Sequence, residues 1–414
     1  MKLETMVTSL LMALVLAGCA RESYDDLEVM EAQDYTKRDI IKKIGKVPKP
    51  DEIKILRPDI VAYPGDDVNE VVREHAVSNK LFVLGIAGKH DESLRLCKKY
   101  GAHTKDDGKL IIQVVGVNTD VPAEIRGIHL YGQKGTVKSA EFHNLRVSTS
   151  RGARSPILDV DKSERLVFNN LELYPDPENR GSYGGAGMKW GFDLQDGTDY
   201  LHINNCRRGS GSRGKERFEE HWAYLKSTGA LFITNNDIGG GNRTGFQVRA
   251  PGKGEPPHGP IVISNNIAED YGWDWNFNNG GSCITVWGSL KYPVYILNNR
   301  ILNAKYGCVS ITQEPQDQEP PLLNNGRAHS NVVLLGNSFS NTVGDRACVS
   351  ISSTTLARVL ENRIDGSEQA DIVIDSKIAW EWGALPCVRV NILKSLRDSL
   401  KIIQWNGQSY IEWK

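Results

Sequence analysis

Two short runs, "WAYLK" ending at Lys226 and "GFQVR" ending at Arg249, each close on a cation, 23 residues apart. In both, apolar and polar residues alternate, which is the pattern of a strand with one buried face. If the strands are neighbours in register, Lys226 stands beside Arg249 and Tyr224 beside Gln247 on the outer face. The earlier run "WGFDLQ" adds Asp193 and Gln195 to the same two columns. Column neighbours lie about 4.8 Å apart and alternate residues of one strand about 6.7 Å, so these six polar groups share one patch. Solvated strand faces usually mix Ser, Thr, Glu and Lys; a Tyr, an Arg and two Gln together are a different selection. Such groups can neutralise a carboxylate, take up a proton and supply one, which is the chemistry of proton abstraction beside an acid function. His221, flanked by Glu220 at the entrance of the Tyr224 strand, can be held charged or oriented by carboxylates. Lys226, Arg249, Tyr224 and His221 are the candidate catalytic residues.

The sequence around the patch suits a charged sugar chain. The run "RRGSGSRGKERFEEH" carries Arg207, Arg208, Arg213, Lys215 and Arg217 among Gly and Ser, and can present guanidinium groups to carboxylates or sulfates. Downstream, "DYGWDWNFNNGG" and Trp287 offer aromatic faces for pyranose rings or a cover for the side of the fold. Asp193, Gln195, Gln247, Arg213 and Trp287 are therefore the candidate substrate-binding residues.

These residues need a scaffold that repeats. From about residue 105 one element returns as "AEFHNLRV", "LVFNNLEL", "LHINNCRR", "LFITNNDI", "IVISNNIA", "VYILNNRIL", "VVLLGNSF" and "RVLENRI". Its last asparagines, Asn144, Asn170, Asn205, Asn236, Asn266, Asn299, Asn337 and Asn362, are separated by 26, 35, 31, 30, 33, 38 and 25 residues. A fixed coil with loop insertions produces such spacing. A second column, "GFDLQ", "WAYLK", "GFQVR", "CITVW", "CVSIT" and "CVSIS", sends Phe192/Leu194, Ala223/Leu225, Phe246/Val248, Ile284/Val286, Val309/Ile311 and Val349/Ile351 inward. The asparagines are expected to be structural, turning a bend and bonding along a ladder. Cys283, Cys308 and Cys348 each precede an inward pair and are expected to stack as small packed side chains rather than to bridge.

This pattern resembles the right-handed parallel β-helix of pectate lyases, related polysaccharide lyases, epimerases and phage tailspikes. The expected fold class is all-β, a solenoid over residues 105–385 with a short N-terminal helical cap within 51–104 and a C-terminal cap over 386–414. Lys2 is followed by the apolar run "MVTSLLMALVLAGC", of signal-sequence length and too short to span a bilayer. Its end, Leu16-Ala17-Gly18-Cys19, resembles the bacterial lipobox. The resemblance implies a signal peptide over 1–18, lipidation at Cys19, a flexible tether over 19–50 and membrane attachment through the lipid. Ala20, a residue other than Asp after the Cys, implies the outer membrane by the same resemblance. A formal net charge of −1 gives no overall attraction to nucleic acid. The expected partner is an acidic polysaccharide, and the expected state a monomer.

A narrower resemblance appears at the two cations. "LKSTG" and "FQVRAPG" are similar to chondroitinase B and its alginate-lyase relatives, in which a Lys-Ser pair supplies the base and an Arg one coil later assists the acid step. This implies a polysaccharide lyase acting by β-elimination, with Lys226 as base and Tyr224 or Arg249 at the leaving oxygen. In that family acidic residues before the Lys bind calcium; Glu219 matches one such position, and His221 stands at the other. "WGFDLQD" also resembles the "YGFDPH" segment of mannuronan C5 epimerases, with Gln195 near the place of the family's His. Three alternatives stand beside the lyase: a C5 epimerase, a hydrolase using Asp193 with Asp196 or Glu220, and a non-catalytic carbohydrate-binding or structural β-helix.

Overall fold

The asparagine pairs mark the corner at which each coil turns. In the computed structural model the first corner residue has positive φ at Asn144 (57°), Asn170 (55°), Asn205 (50°), Asn235 (60°), Asn265 (56°) and Asn298 (53°). Asn tolerates this left-handed geometry because its short amide can bond locally. Gly336 (69°) and Glu361 (53°) take the same place in the last two corners. The second corner residue is buried: Leu145, Leu171, Cys206, then Asn236, Asn266, Asn299, Asn337 and Asn362. The single asparagine column expected from the sequence is thus two columns. Asn144, Asn170 and Asn205 belong to the outer one, and the five from Asn236 onward to the inner one. Aligned by the inner column, Cys206 and Asn236 are 30 residues apart, not the 31 obtained by pairing Asn205 with Asn236.

The inner asparagines form a continuous hydrogen-bonded ladder. Asn299 Nδ2 donates to Ile263 O (2.9 Å) and Asn337 Oδ1 (3.0 Å), while its Oδ1 accepts from Asn266 N (3.0 Å) and Nδ2 (2.9 Å). Asn236, Asn266 and Asn337 repeat the arrangement, and Cys206 N donates to Asn236 Oδ1 at the ladder's start. Buried amides are tolerable here because these donors and acceptors are paired within the stack.

The structure describes residues 46–97, 103–106, 108–117, 120–130, 137–148, 155–159, 163–174, 190–194, 198–208, 221–226, 229–241, 244–249, 259–271, 282–287, 292–305, 307–312, 331–341, 347–352, 354, 356–365, 370–374, 390–392, 399–406 and 408–412. Sheet A has twelve strands, from Ile60–Ala62 to Val390–Ile392, and sheet C twelve, from Leu94–Leu96 to Tyr410–Glu412. Between them lies sheet B, two four-stranded parts joined through Asp237, which bridges Arg207 and Ile267. Neighbouring strands pair in parallel except Ile402–Trp405 with Tyr410–Glu412, an antiparallel pair at the C-terminal end of sheet C. The protein is an all-β parallel β-helix. All six expected inward pairs are buried, and Phe142, Phe168, Phe192, Trp222 and Phe246 stack through the core at centroid distances of 4.9–5.5 Å.

Helix α1, Val68–His75, closes the N-terminal end. Asp67 caps it by accepting from Asn69 N and Glu70 N. Val68 and Val72 enter the core, and Asn69 bonds Ser93 O and Arg95 N, taking the part of a missing neighbour at the first strand of sheet C. Strand stacking begins at Ile60, inside the stretch 51–104, and reaches past residue 385. These terminal strands lack the asparagine corner that identified the others. Cys97, Cys206, Cys283, Cys308 and Cys348 are buried free thiols, with Cys348 Sγ 2.9 Å from Cys308 Sγ; Cys19 and Cys387 lie outside the described residues. Among the described residues no helix is long and apolar enough to cross a membrane.

Two outcomes follow from the buried polar groups. Asn299→Ala removes the side-chain acceptor shared by Asn266 N and Nδ2 and should cost roughly 1–3 kcal/mol, read as a lower denaturation midpoint. Burial, aided by Arg95 at His129 and by Arg165 at His202, holds both imidazoles at about 4, below the ordinary 6.5; Asp51 acts in the opposite sense at His202. Both folded-state values are depressed, so the stabilisation is full above about pH 6.5 and is lost as pH falls toward 4. Each shift corresponds to about 3 kcal/mol at complete protonation. Thermal midpoints should therefore decline through that window, and less steeply in His202→Gln.

Candidate functional site

Sheet C carries the patch anticipated from the sequence. The strands Trp190–Leu194, His221–Lys226, Thr244–Arg249 and Ile284–Trp287 pair in parallel, with Asp193 opposite Tyr224, Tyr224 opposite Gln247 and Gln247 opposite Thr285. The second column pairs Lys226 with Arg249 and Arg249 with Trp287. Lys226 and Arg249 are thus neighbours on adjacent coils. The inner corner of the same two coils is the Asn236–Asn266 rung, whose 2.8 Å bond ties them together on the far side of the following sheet A strands.

The patch is not uniformly open. Asp193 is 2% exposed, Gln247 6% and Thr285 2%, although all three alternate with core residues and point outward. Tyr224, Lys226 and Arg249 are the partly exposed members. Tyr224 and Arg249 are joined diagonally: Arg249 Nη1 donates to Tyr224 Oη at 2.6 Å, and the guanidinium carbon is 5.6 Å from the ring centroid. This pairing immobilises a cation and a phenol together, with Lys226 directly beside the arginine in register.

His221 stands at the entrance of the Tyr224 strand, as expected, and is enclosed there. It is 3% exposed and packs its ring 5.7 Å from that of Tyr224, at an interplanar angle of 36°. Its position follows from a break in alternation. Trp222, next to the inward Ala223, also enters the core, between Phe192 (4.9 Å) and Phe246 (5.5 Å), filling the volume that the small Ala223 leaves in that column. Strict period-2 alternation places Trp222 outward; the signal that marks it as a core residue is the alanine after it between two phenylalanine coils.

Gln195, Arg213 and Glu219 lie outside the described residues, as does the side chain of Trp287. Among the described residues no group of three or more His, Cys, Asp or Glu is placed to hold a metal ion. Calcium takes six to eight oxygen ligands, and Asp193 is the one carboxylate in the described columns. The described residues therefore do not fit a calcium site.

The sequence between elements is distributed unevenly. Only Asn205 and Cys206 separate Asn204 from Arg207 at the corner after a sheet A strand, whereas residues 175–189, 209–220 and 272–281 precede sheet C strands and 250–258 and 313–330 follow them. Comparison with protein-family models, with curated proteins and with solved structures finds no match for this chain.

Proposed function

We propose that this protein is a polysaccharide lyase that cleaves a uronic-acid-containing polymer by β-elimination. The observation that carries the reading is the 2.6 Å bond from Arg249 to Tyr224 Oη, with Lys226 in register beside Arg249 on a partly exposed face. Arg249 has a guanidinium with which to pair the uronate carboxylate, and that pairing acidifies the C5 proton. Lys226, in its amine form, takes the proton from C5. The C4–O4 bond breaks as the C4=C5 double bond forms, and Tyr224 gives its hydroxyl proton to O4. Arg249 then bonds the phenolate oxygen left behind. His221, buried against the Tyr224 ring, is a positioning residue in this scheme, and Asp193 and Gln247 support Tyr224 from the coils on either side. No step is routed through calcium.

The same assignment includes attachment to the bacterial cell envelope, with Cys19 as the lipidated residue and the outer membrane as the site. It is motivated by the sequence ending at Cys19. Loss of the protein from the membrane fraction in Cys19→Ala is the expected result.

A second reading, a non-catalytic glycan-binding β-helix, draws on the same rigid Arg249–Tyr224 pair, which can hold a carboxylate or sulfate without turnover. Incubation with a panel of polyuronates separates the two. Elimination yields unsaturated, ultraviolet-absorbing ends, and Lys226→Ala or Tyr224→Phe should lower kcat/KM about 100-fold or more. Absence of unsaturated product from every polymer, with the fold intact by circular dichroism, would overturn the lyase. Binding that survives both substitutions without turnover would select the binding module, and new reducing ends without unsaturation would indicate hydrolysis.

A further inference from the structure

The outer face of sheet A is buried along most of its length. Its outward column runs in register through Val83, Gln113, Glu141, Val167, His202, Phe232, Val262, Tyr295 and Val333. Each of these alternates with core residues and so points away from the interior. Yet Val167 is 0% exposed, Phe232 and Val262 3%, Tyr295 6% and Val333 1%. An outward valine reaches such burial only when something lies over it.

For the first part of the column the cover is the chain's own N-terminal segment. Gln113 bonds Leu56 N (2.7 Å) and Lys54 O (2.9 Å). Asp51 accepts from Arg165 Nη1 (2.6 Å), and Asp51 N donates to Tyr200 Oη (2.9 Å). Val47 packs against the cluster of Phe232, Val262, Tyr295 and Val333. Followed backward from Leu56 to Asp51, the segment climbs from the Gln113 strand to the Tyr200 strand. That is three strand spacings, about 14 Å, covered by five residues whose full extension is about 17 Å. It is a nearly straight strap lying across the strands.

The described residues begin at Lys46, just where the strap reaches the apolar end of the column. From Val262 to Val333 is two further spacings, about 10 Å, or about three extended residues. The sequence next along the chain is "RDIIKKIG", Arg38 to Gly45. Going backward from Val47, Ile44 arrives at that distance, followed by Ile41 and Ile40. We propose that residues 38–45 continue the strap over Tyr295 and Val333, with Ile44 as the residue seated on them. The occupant follows from the strap's direction, from where it ends, and from the match of an apolar column to isoleucines in reach. The stretch expected to act as a flexible tether up to residue 50 is then a docked element from residue 38 on. If Cys19 is the anchor, as in the reading above, only the chain between it and Arg38 remains as tether. It leaves the solenoid from sheet A, while the sheet C patch stays clear of the attachment.

The test uses the full chain carrying the photo-crosslinker benzoylphenylalanine in place of Ile44. Irradiation should join it, within one chain, to peptides containing Val294–Leu297 or Val332–Leu335. Cross-links formed only between two copies would assign the face to a dimer, and cross-links elsewhere would leave it without this occupant; either overturns the proposal. As a second measurement, Ile44→Asp should make Tyr295 reactive to nitration while the thermal midpoint stays close to that of the parent chain. Tyr295 equally protected in both chains would also overturn the proposal. Neither readout depends on turnover, so the lyase assignment and the strap fail separately.

Discussion

The outer-face columns of this protein depend on coils that stay in register, and over the coils from Cys206 to Asn362 the amide ladder is the most specific force that keeps them there. Hydrophobic stacking is tolerant of sliding, because one valine packs on the next much as well as on its neighbour. A side-chain amide that must meet both a backbone N–H and another amide at 2.7–3.0 Å is not. A slip of one residue would also turn each outward side chain into the core. The Asn236–Asn266 rung joins the same two coils that carry Lys226 and Arg249, so the corner chemistry and the candidate site share one geometric origin.

Burial on the outer faces divides the molecule. On sheet A the first part of the outward column is closed over by the segment from Val47 to Leu56, through contacts such as Asp51 with Arg165 and Tyr200. On sheet C the column is closed at Asp193, Gln247 and Thr285 and partly open at Tyr224, Lys226 and Arg249. The open groups are the ones whose chemistry is complementary: a cation, an amine and a phenol, two of them already bonded to each other. Burying the flanking positions excludes water from the sides of the patch, which strengthens charge interactions at its centre.

The coil repeat, the inward pairs and the two outer columns of sheet C were legible because a parallel stack repeats the same local rule in every turn. The exact corner was not, because both of its positions accept Asn: Asn144 and Asn236 look alike in sequence, yet one is left-handed and the other is a buried rung. Trp222 was not legible as a core residue because alternation is a rule about regular strands, and this strand spends its first residues filling the space beside Ala223. The strap was invisible for another reason. Its bonds join residues 149, 114 and 57 positions apart, and no local pattern in "KVPKPDEIKILRP" announces a partner so distant.

The most direct test of the central claim is a structure of Tyr224→Phe bound to a polyuronate oligomer. The account predicts a sugar carboxylate against Arg249, with C5 facing the Lys226 amine and the glycosidic O4 beside the vacated phenol position. An oligomer bound away from sheet C, or one whose C5 hydrogen points to the ring face opposite Lys226, would contradict it.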